Sequence, residues 1–143
     1  LNALGDVFDW KSGEQIAGLR SEDGKNLCSS PQAIESSIKA VKNRFTGNTT
    51  LAVIITNARF EKAALCKIAG MGHDGYARSI RPVHTSFDGD SIYAVSVGEL
   101  EADQEVVGTL AAEVISEAII RAVQSADSAY GIPSAKDLAK DKA

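Results

Sequence analysis

The residues best suited to chemistry in this sequence are Asn48 and Thr49, which lie between Gly47 and the apolar run 51–55. A hydroxyl residue directly after an asparagine, at the start of a strand, is the arrangement found in self-cleaving proteins. The Thr49 hydroxyl attacks the Asn48 carbonyl, the ester hydrolyses, and Thr49 becomes a new N-terminus. Its freed amine, with a pKa near about 7.7–8.0, then acts as general base for its own hydroxyl. The same residues also fit a Gly-Asn turn before a strand, and alone they favour that interpretation because such turns are common.

Asp88 and Asp90, separated by Gly89, form a second group of residues suited to chemistry. One carboxylate can hold an ammonium group or orient the Thr49 hydroxyl, while the glycine lets the backbone turn sharply. The alternative is an Asp-Gly turn between secondary elements, which these residues alone favour. His84 fits no catalytic triad because no serine elbow precedes it, so we predict for it a structural role or a supporting role next to the catalytic residues.

The elements that must position these residues are strands and helices in alternation, which predicts an α+β fold with too few strands to close its own core. Hydrophobic periodicity predicts three strands and three helices. The strands are 2–9, 51–56 (short and buried) and 91–97, and the helices are about 31–44, 60–79 and 103–126. Segment 10–30 is predicted to be a surface loop, and the charged tail after Pro133 to be loosely held. The glycines within the second of these helices are expected to weaken it.

The composition is that of a globular domain. The 143 residues are 44% hydrophobic and 24% charged, with a formal net charge of −4. No basic cluster offsets this charge, and no apolar run approaches the ~20 residues of a membrane helix, so we expect neither nucleic acid nor membrane as partner. Cys28 and Cys66 have no metal or redox spacing, and no metal or cofactor is predicted. We expect two free thiols, with Cys66 buried on a helix, and a reducing, cytoplasmic location.

Five groups of residues then identify a family. They are Asn2 to Val7, Gly47 to Leu51 with Thr56-Asn57-Ala58, His73 to Arg78, Arg81 to Thr85, and Phe87 to Ser91. In this order and spacing they resemble the L-aminopeptidase/D-Ala-esterase/amidase family, which includes β-peptidyl aminopeptidases, nylon-oligomer hydrolases and a pantetheine hydrolase. Members of that family are longer and have a front half that is absent here. Residues 1–143 are therefore expected to be the C-terminal portion of one hydrolase domain, in which 1–48 ends before the self-cleavage site and 49–143 carries the nucleophile.

The resemblance also assigns roles to individual residues. It implies cleavage between Asn48 and Thr49, with Thr49 as the nucleophile. Asp88 and Asp90 match the acidic pair of the nylon-hydrolase branch, where the aminopeptidase branch has serine and glutamate. Asn2 matches the asparagine of the oxyanion hole, although capping the start of a strand explains it equally well. The family fold is a four-layer α-β-β-α sandwich, to which the front half contributes the rest of both sheets together with a tyrosine and a lysine of the site.

Three functions compete. The first is an amide or peptide hydrolase that processes itself and then acts on N-terminal amino-acyl or oligoamide substrates. The second is an unprocessed or inactive relative that serves as an assembly or binding module. The third is an acyl transferase of the same architecture, ranked last because the motif around the transferase threonine is missing. The expected partners are a small peptide or amide substrate, the N-terminal portion of the same precursor and further copies in a homo-oligomer, and the fragment alone is expected to be inactive.

Overall fold

The computed structural model describes residues 1–36 and 48–140, which form the predicted α+β fold. The elements in chain order are β1 (Asp6–Phe8), β2 (Gln15–Ala17), α1 (Ser30–Ser36), β3 (Leu51–Ala58), α2 (Lys62–Ser79), β4 (Ile80–Arg81), β5 (Ser91–Leu100), α3 (Gln104–Ser125) and α4 (Ala135–Lys140). The predicted first helix is confirmed over α1, and its remainder lies outside the described residues. Among the described residues, no helix is long and apolar enough to cross a membrane.

Two small sheets organise the described residues. In one, β1 lies between β2 and β4 and pairs antiparallel with both. In the other, β3 and β5 pair in parallel, in register from Leu51 opposite Ser91 to Thr56 opposite Ser96. Parallel neighbours need a crossover connection, and α2 lies in the chain segment that links β3 to β5. This parallel pairing sets the start of β3 beside the start of β5.

Helix α2 packs closely against α3 and the inner face of the β3–β5 sheet. The core includes Ile54 on β3, Ile68 on α2 and Ile115 on α3. A Cβ added at Gly72 would lie 2.9 Å from Ile115 Cδ1, and one at Gly75 would lie 2.4 Å from the Ala112 carbonyl oxygen. The helix is continuous over Lys62–Ser79, and these two glycines allow the close approach. The predicted weakening of α2 stays a prediction.

Several short elements correct the predictions for the segments outside the long helices. The predicted loop 10–30 contains β2, and the predicted strand 2–9 is ordered as a strand only over β1. The buried carboxylate of Asp6 ties this region together, since Oδ1 accepts the Leu19 N–H at 2.9 Å and Oδ2 accepts the Ser30 N–H at 2.7 Å. The tail after Pro133 carries α4, and its predicted loose attachment stays a prediction. Elements of three to six residues are too short to show a periodicity.

The strand β3 is buried on one face only, which corrects the prediction of a fully buried strand. Side chains alternate along β3, so that Ile54 and Ala58 face the helices. The opposite face of the sheet is apolar and is exposed by 41% to 68% per residue; it comprises Leu51, Val53, Ile55, Tyr93, Val95 and Val97. We call these six residues the outer apolar face. The predicted burial of Cys66 is also wrong, since this free thiol is exposed on α2.

Candidate active site

The candidate site lies where β3 and β5 begin. The parallel pairing continues in front of both strands, because Asn48 forms a parallel bridge with Asp88. The Ser91 N–H also donates to the Thr50 carbonyl oxygen at 3.0 Å. Two segments that are 40 residues apart in sequence are thereby held side by side. The structure thus brings the predicted scissile bond next to the predicted acidic pair.

The carbonyl oxygen of Asn48 receives two hydrogen bonds. The Thr49 hydroxyl donates to it at 2.8 Å, and the main-chain N–H of Gly89 donates to it at 3.2 Å. Both contacts draw electron density from the carbonyl carbon of the Asn48–Thr49 bond. A backbone N–H in this position also stabilises an oxygen that becomes negative when a nucleophile attacks. Sequence reasoning treated Gly89 only as a turn residue, because its contact with Asn48 depends on a pairing between distant segments of the chain.

The position of the Thr49 side chain leaves no room for a side chain at position 89. A Cβ at this position would lie 2.8 Å from Thr49 Oγ1, which is closer than real Cβ contacts allow. The absence of a side chain therefore lets the N–H of residue 89 and the hydroxyl of Thr49 reach the same carbonyl oxygen.

Asn2 reaches Thr49 through main-chain atoms. The Thr49 N–H donates to the Asn2 carbonyl oxygen at 3.2 Å. This contact fixes the nitrogen that would become the new amino terminus if the bond before it were cut. The role predicted for the side-chain amide of Asn2, in an oxyanion hole, stays a prediction.

Asp90 is held against the residue after Thr49. Its side chain is only 3% exposed, and Oδ1 accepts the Thr50 N–H at 2.8 Å. On the other side of the same residue, the Tyr76 hydroxyl donates to the Thr50 carbonyl oxygen at 3.3 Å. Burial, and secondarily the charge of Asp90, raise the pKa of Tyr76 to about 12, so this phenol stays a neutral donor at ordinary pH. Thr50, itself 2% exposed, is thus fixed on both sides, which anchors the chain next to Thr49.

Asp88 has a different set of contacts. Its Oδ2 accepts hydrogen bonds from the Thr85 N–H at 2.8 Å and from the Thr85 hydroxyl at 2.7 Å. The side chain therefore shapes the turn that leads into β5, as the turn interpretation predicted, while the backbone of Asp88 pairs with Asn48. A direct role of this carboxylate at Thr49 stays a prediction.

Two histidines continue the site away from Thr49. His84 Nδ1 lies 3.0 Å from Asp90 Oδ2, and His84 Nε2 lies 3.1 Å from His73 Nδ1 on α2. The pKa of His73 is lowered from its ordinary value, first by burial and then by the charge of His84. Sequence reasoning gave His84 a structural or supporting role and His73 a packing or hydrogen-bonding role, without naming the contact between them. The position of His84 shortly before Asp88-Gly89-Asp90 was the available signal.

The sequence of this chain is similar to those of known proteins. The family model of peptidase family S58 matches residues 12–136. An uncharacterized aminopeptidase of Mycobacterium tuberculosis is 31% identical over 160 residues, a match that covers 96% of this chain and 46% of the relative. An uncharacterized aminopeptidase of Mycobacterium leprae is 30% identical, with 94% and 41% covered. The 6-aminohexanoate-oligomer endohydrolase of a Kocuria strain is 32% identical over 91 residues, which are 54% of this chain and 26% of the relative. The chain therefore spans less than half the length of these curated relatives.

Proposed function

The chain belongs to peptidase family S58, which confirms the family predicted by resemblance, and on this premise we propose that it is the nucleophile-bearing part of a self-processing amide hydrolase. The proposed enzyme cuts its own Asn48–Thr49 bond and then uses Thr49 against N-terminal amino-acyl or oligoamide substrates. The observation that carries the proposal is the Asn48 carbonyl oxygen, which accepts hydrogen bonds from the Thr49 hydroxyl and the Gly89 N–H. The names of the relatives, aminopeptidases and oligomer hydrolases, support the choice of reaction.

Self-processing begins with attack of Thr49 Oγ1 on the carbonyl carbon of Asn48, which closes a five-membered ring. The oxygen of Asn48 becomes negative and is stabilised by the Gly89 N–H. The hydroxyl proton passes to the Thr49 nitrogen through an acid–base group, for which Asp88 and Asp90 are the candidates. The C–N bond then breaks and leaves an ester between Asn48 and Thr49 Oγ1. Water hydrolyses this ester and produces a carboxylate on Asn48 and a free amine on Thr49.

Turnover repeats the same steps on a substrate. The freed amine of Thr49 accepts the hydroxyl proton, and Oγ1 attacks the substrate carbonyl to form an acyl-enzyme that water hydrolyses. Once Asn48 has moved away, the Gly89 N–H is left to donate to the oxygen of the substrate carbonyl. The site that processes the chain thus becomes the site that processes the substrate, and the amide of Asn2 is the proposed second donor.

The proposal includes the rest of the precursor. The outer apolar face presents six exposed hydrophobic side chains on a two-stranded sheet, and a patch of this kind normally marks an interface. The relatives are more than twice as long as their matched parts. We therefore assign this face to a second sheet contributed by an N-terminal portion of the same precursor, which completes a four-layer α-β-β-α sandwich. Homo-oligomeric assembly is proposed from the family resemblance.

The proposal is tested by the intact mass of the complete protein and its variants. We expect two polypeptides from the native sequence and one uncut polypeptide from Thr49→Ala, with the same melting temperature. Thr50→Val is the matched control, since it removes the neighbouring hydroxyl with little change in volume, and we expect it to be cut. Cutting of Thr49→Ala at the same bond would show that another protease acts. An uncut native protein would favour the assembly-module alternative.

A further inference from the structure

We propose that His84 is a positioning residue for the chemistry of Thr49. It holds the Asp90 carboxylate against the Thr50 N–H. Together with His73, it also links the charge state of Asp90 to a single proton shared by the two imidazoles. This role rests on the proposed function, because it acts through Asp90 on the reaction of Thr49. The sequence and the family resemblance gave His84 a structural or supporting role, and neither named Asp90 or His73 as its partner.

The first reason is that the buried carboxylate of Asp90 needs His84. One oxygen, Oδ1, is satisfied by the Thr50 N–H at 2.8 Å. The other, Oδ2, is fully buried and accepts no hydrogen bond of good geometry within residues 1–36 and 48–140. His84 Nδ1 lies 3.0 Å from this oxygen, which is ion-pair distance. A buried carboxylate oxygen without a hydrogen-bond partner costs free energy. A small rotation of the His84 ring that completes the hydrogen bond from Nδ1 to Asp90 Oδ2 is therefore strongly favoured.

The second reason is the backbone at His84, which has a φ of 56°. Residues other than glycine seldom adopt this left-handed region, where asparagine, aspartate and histidine are the most frequent exceptions. The turn that follows is fixed by Asp88, whose carboxylate accepts both the N–H and the hydroxyl of Thr85. The loop therefore holds an uncommon conformation that places the imidazole of His84 between Asp90 and His73.

The third reason is the contact between the imidazoles. His84 Nε2 and His73 Nδ1 are 3.1 Å apart, so a single hydrogen lies between them. If both rings were protonated, two N–H groups would face each other at this distance. The pair therefore takes up one proton and resists a second. The lowered pKa of His73, to which burial and the charge of His84 contribute, agrees with this limit.

Carboxylates and a phenol lie around the imidazole pair. Asp90 faces His84 from the start of β5, while Asp74 on α2 favours the protonated form of His73. Tyr76 packs edge-on against His73 with ring centroids 5.5 Å apart, and its raised pKa keeps it neutral. Asp88 lies in the same loop but is held by Thr85. A positive charge on the pair, 3.0 Å from the Asp90 carboxylate, opposes the transfer of a proton to that carboxylate, so we expect processing to accelerate as pH rises through the range in which imidazoles lose a proton.

The test uses the rate of self-processing of the complete protein, followed by intact mass after cell-free synthesis between about pH 5.5 and 8. Processing is preferable to turnover because the Thr49 amine, which titrates nearby, does not yet exist. We expect His84→Ala to slow processing about 10- to 100-fold, the worth of a hydrogen bond to a charged group. His84→Asn should restore most of the rate, because asparagine tolerates the left-handed backbone and offers a donor near the place of Nδ1, but its rate should no longer follow the imidazole titration. His73→Phe, which keeps a ring beside Tyr76, should shift the midpoint of the curve of processing rate against pH.

A second measurement does not require any cleavage. In the uncut Thr49→Ala protein, NMR titration of His73 should give a higher pKa when His84→Asn is added, because a like charge is removed. Adding Asp90→Asn instead should give a lower pKa, because an opposite charge is removed.

Each outcome separates the role of His84 from the proposed function. Processing of His84→Ala at the native rate across this pH range, while the native protein is cut, would overturn the role of His84. If His84→Ala and His84→Asn slow processing equally and leave the dependence of the rate on pH unchanged, His84 is only a packing residue. That result would also overturn its positioning role. A native protein that is never cut would refute the proposed function instead.

Discussion

Gly89→Ala is the substitution that most selectively tests the geometry around the Asn48 carbonyl. The added Cβ would lie 2.8 Å from Thr49 Oγ1, and the other atoms near it, at 3.6 and 3.7 Å, also belong to Thr49. The backbone of Gly89 lies outside the left-handed region, so it tolerates alanine. The clash is relieved when the Thr49 side chain rotates, which moves the hydroxyl away from the Asn48 carbonyl. The fold should therefore survive while the reaction is lost.

The magnitude follows from what the rotation removes. The nucleophile leaves its position beside the carbonyl, while the N–H of residue 89 stays in place. A misplacement of about 1 Å can cost about 10²-fold in rate, so we expect processing to slow at least that much. The melting temperature should fall only slightly, because the only atoms that must move belong to the Thr49 side chain. The assay is the fraction of cut polypeptide with time after synthesis, together with thermal unfolding.

Gly70→Ala is the matched control for Gly89→Ala. Nothing lies within 4 Å of a Cβ added at Gly70, which is exposed on α2. This variant should be processed at the native rate and be stabilised by about 0.5–1 kcal/mol, since alanine is favoured over glycine inside a helix. Native-rate processing by Gly89→Ala would refute the proposed arrangement of Thr49 and residue 89.

Three further predictions follow from the same site. Asp88→Asn and Asp90→Asn should each slow processing or turnover by about 10²–10⁴-fold, the contribution of a positioned acid–base group, with much less effect on the melting temperature. Unchanged rates in both variants would show that the two carboxylates serve only the turn. Tyr76→Phe should lower the free energy of unfolding by about 1 kcal/mol in chemical denaturation, because it removes the hydrogen bond to the Thr50 carbonyl; an unchanged value would show that this bond contributes nothing. Residues 1–143 expressed alone should associate or unfold and lack amidase activity, because the outer apolar face and the strand edges are uncovered; a well-folded monomer with turnover, measured by sedimentation and amide hydrolysis, would contradict this.

The long elements were predictable from the sequence because their periodicity is sustained. The helix predicted over 103–126 is α3, whose start is fixed by Asp103, since its side chain accepts the N–H groups of Glu105 and Val106. The strands β3 and β5 were also predicted, each somewhat shorter than observed. Strands of two or three residues, such as β4, carry no such pattern and depend on a neighbouring strand.

The sequence pointed to some residues of the candidate site, whose roles stay predictions, but not to the contacts between them. The order of motifs identified Asn48, Thr49 and the acidic pair. The donation from Gly89 to the Asn48 carbonyl depends on a parallel pairing between distant strands, which no local pattern encodes. The contacts of His84 depend on a left-handed backbone, a conformation that its residue type permits but does not specify. Long-range pairing and unusual backbone angles therefore account for what the sequence left out.

The N-terminal sequence of the smaller species in the purified complete protein tests the central proposal most directly. If Thr49 cuts its own bond, this polypeptide begins Thr49-Thr50-Leu51, and the other ends at Asn48. A single uncut chain in a folded protein, or a new terminus at any other residue, would contradict the assignment of Thr49 as the nucleophile.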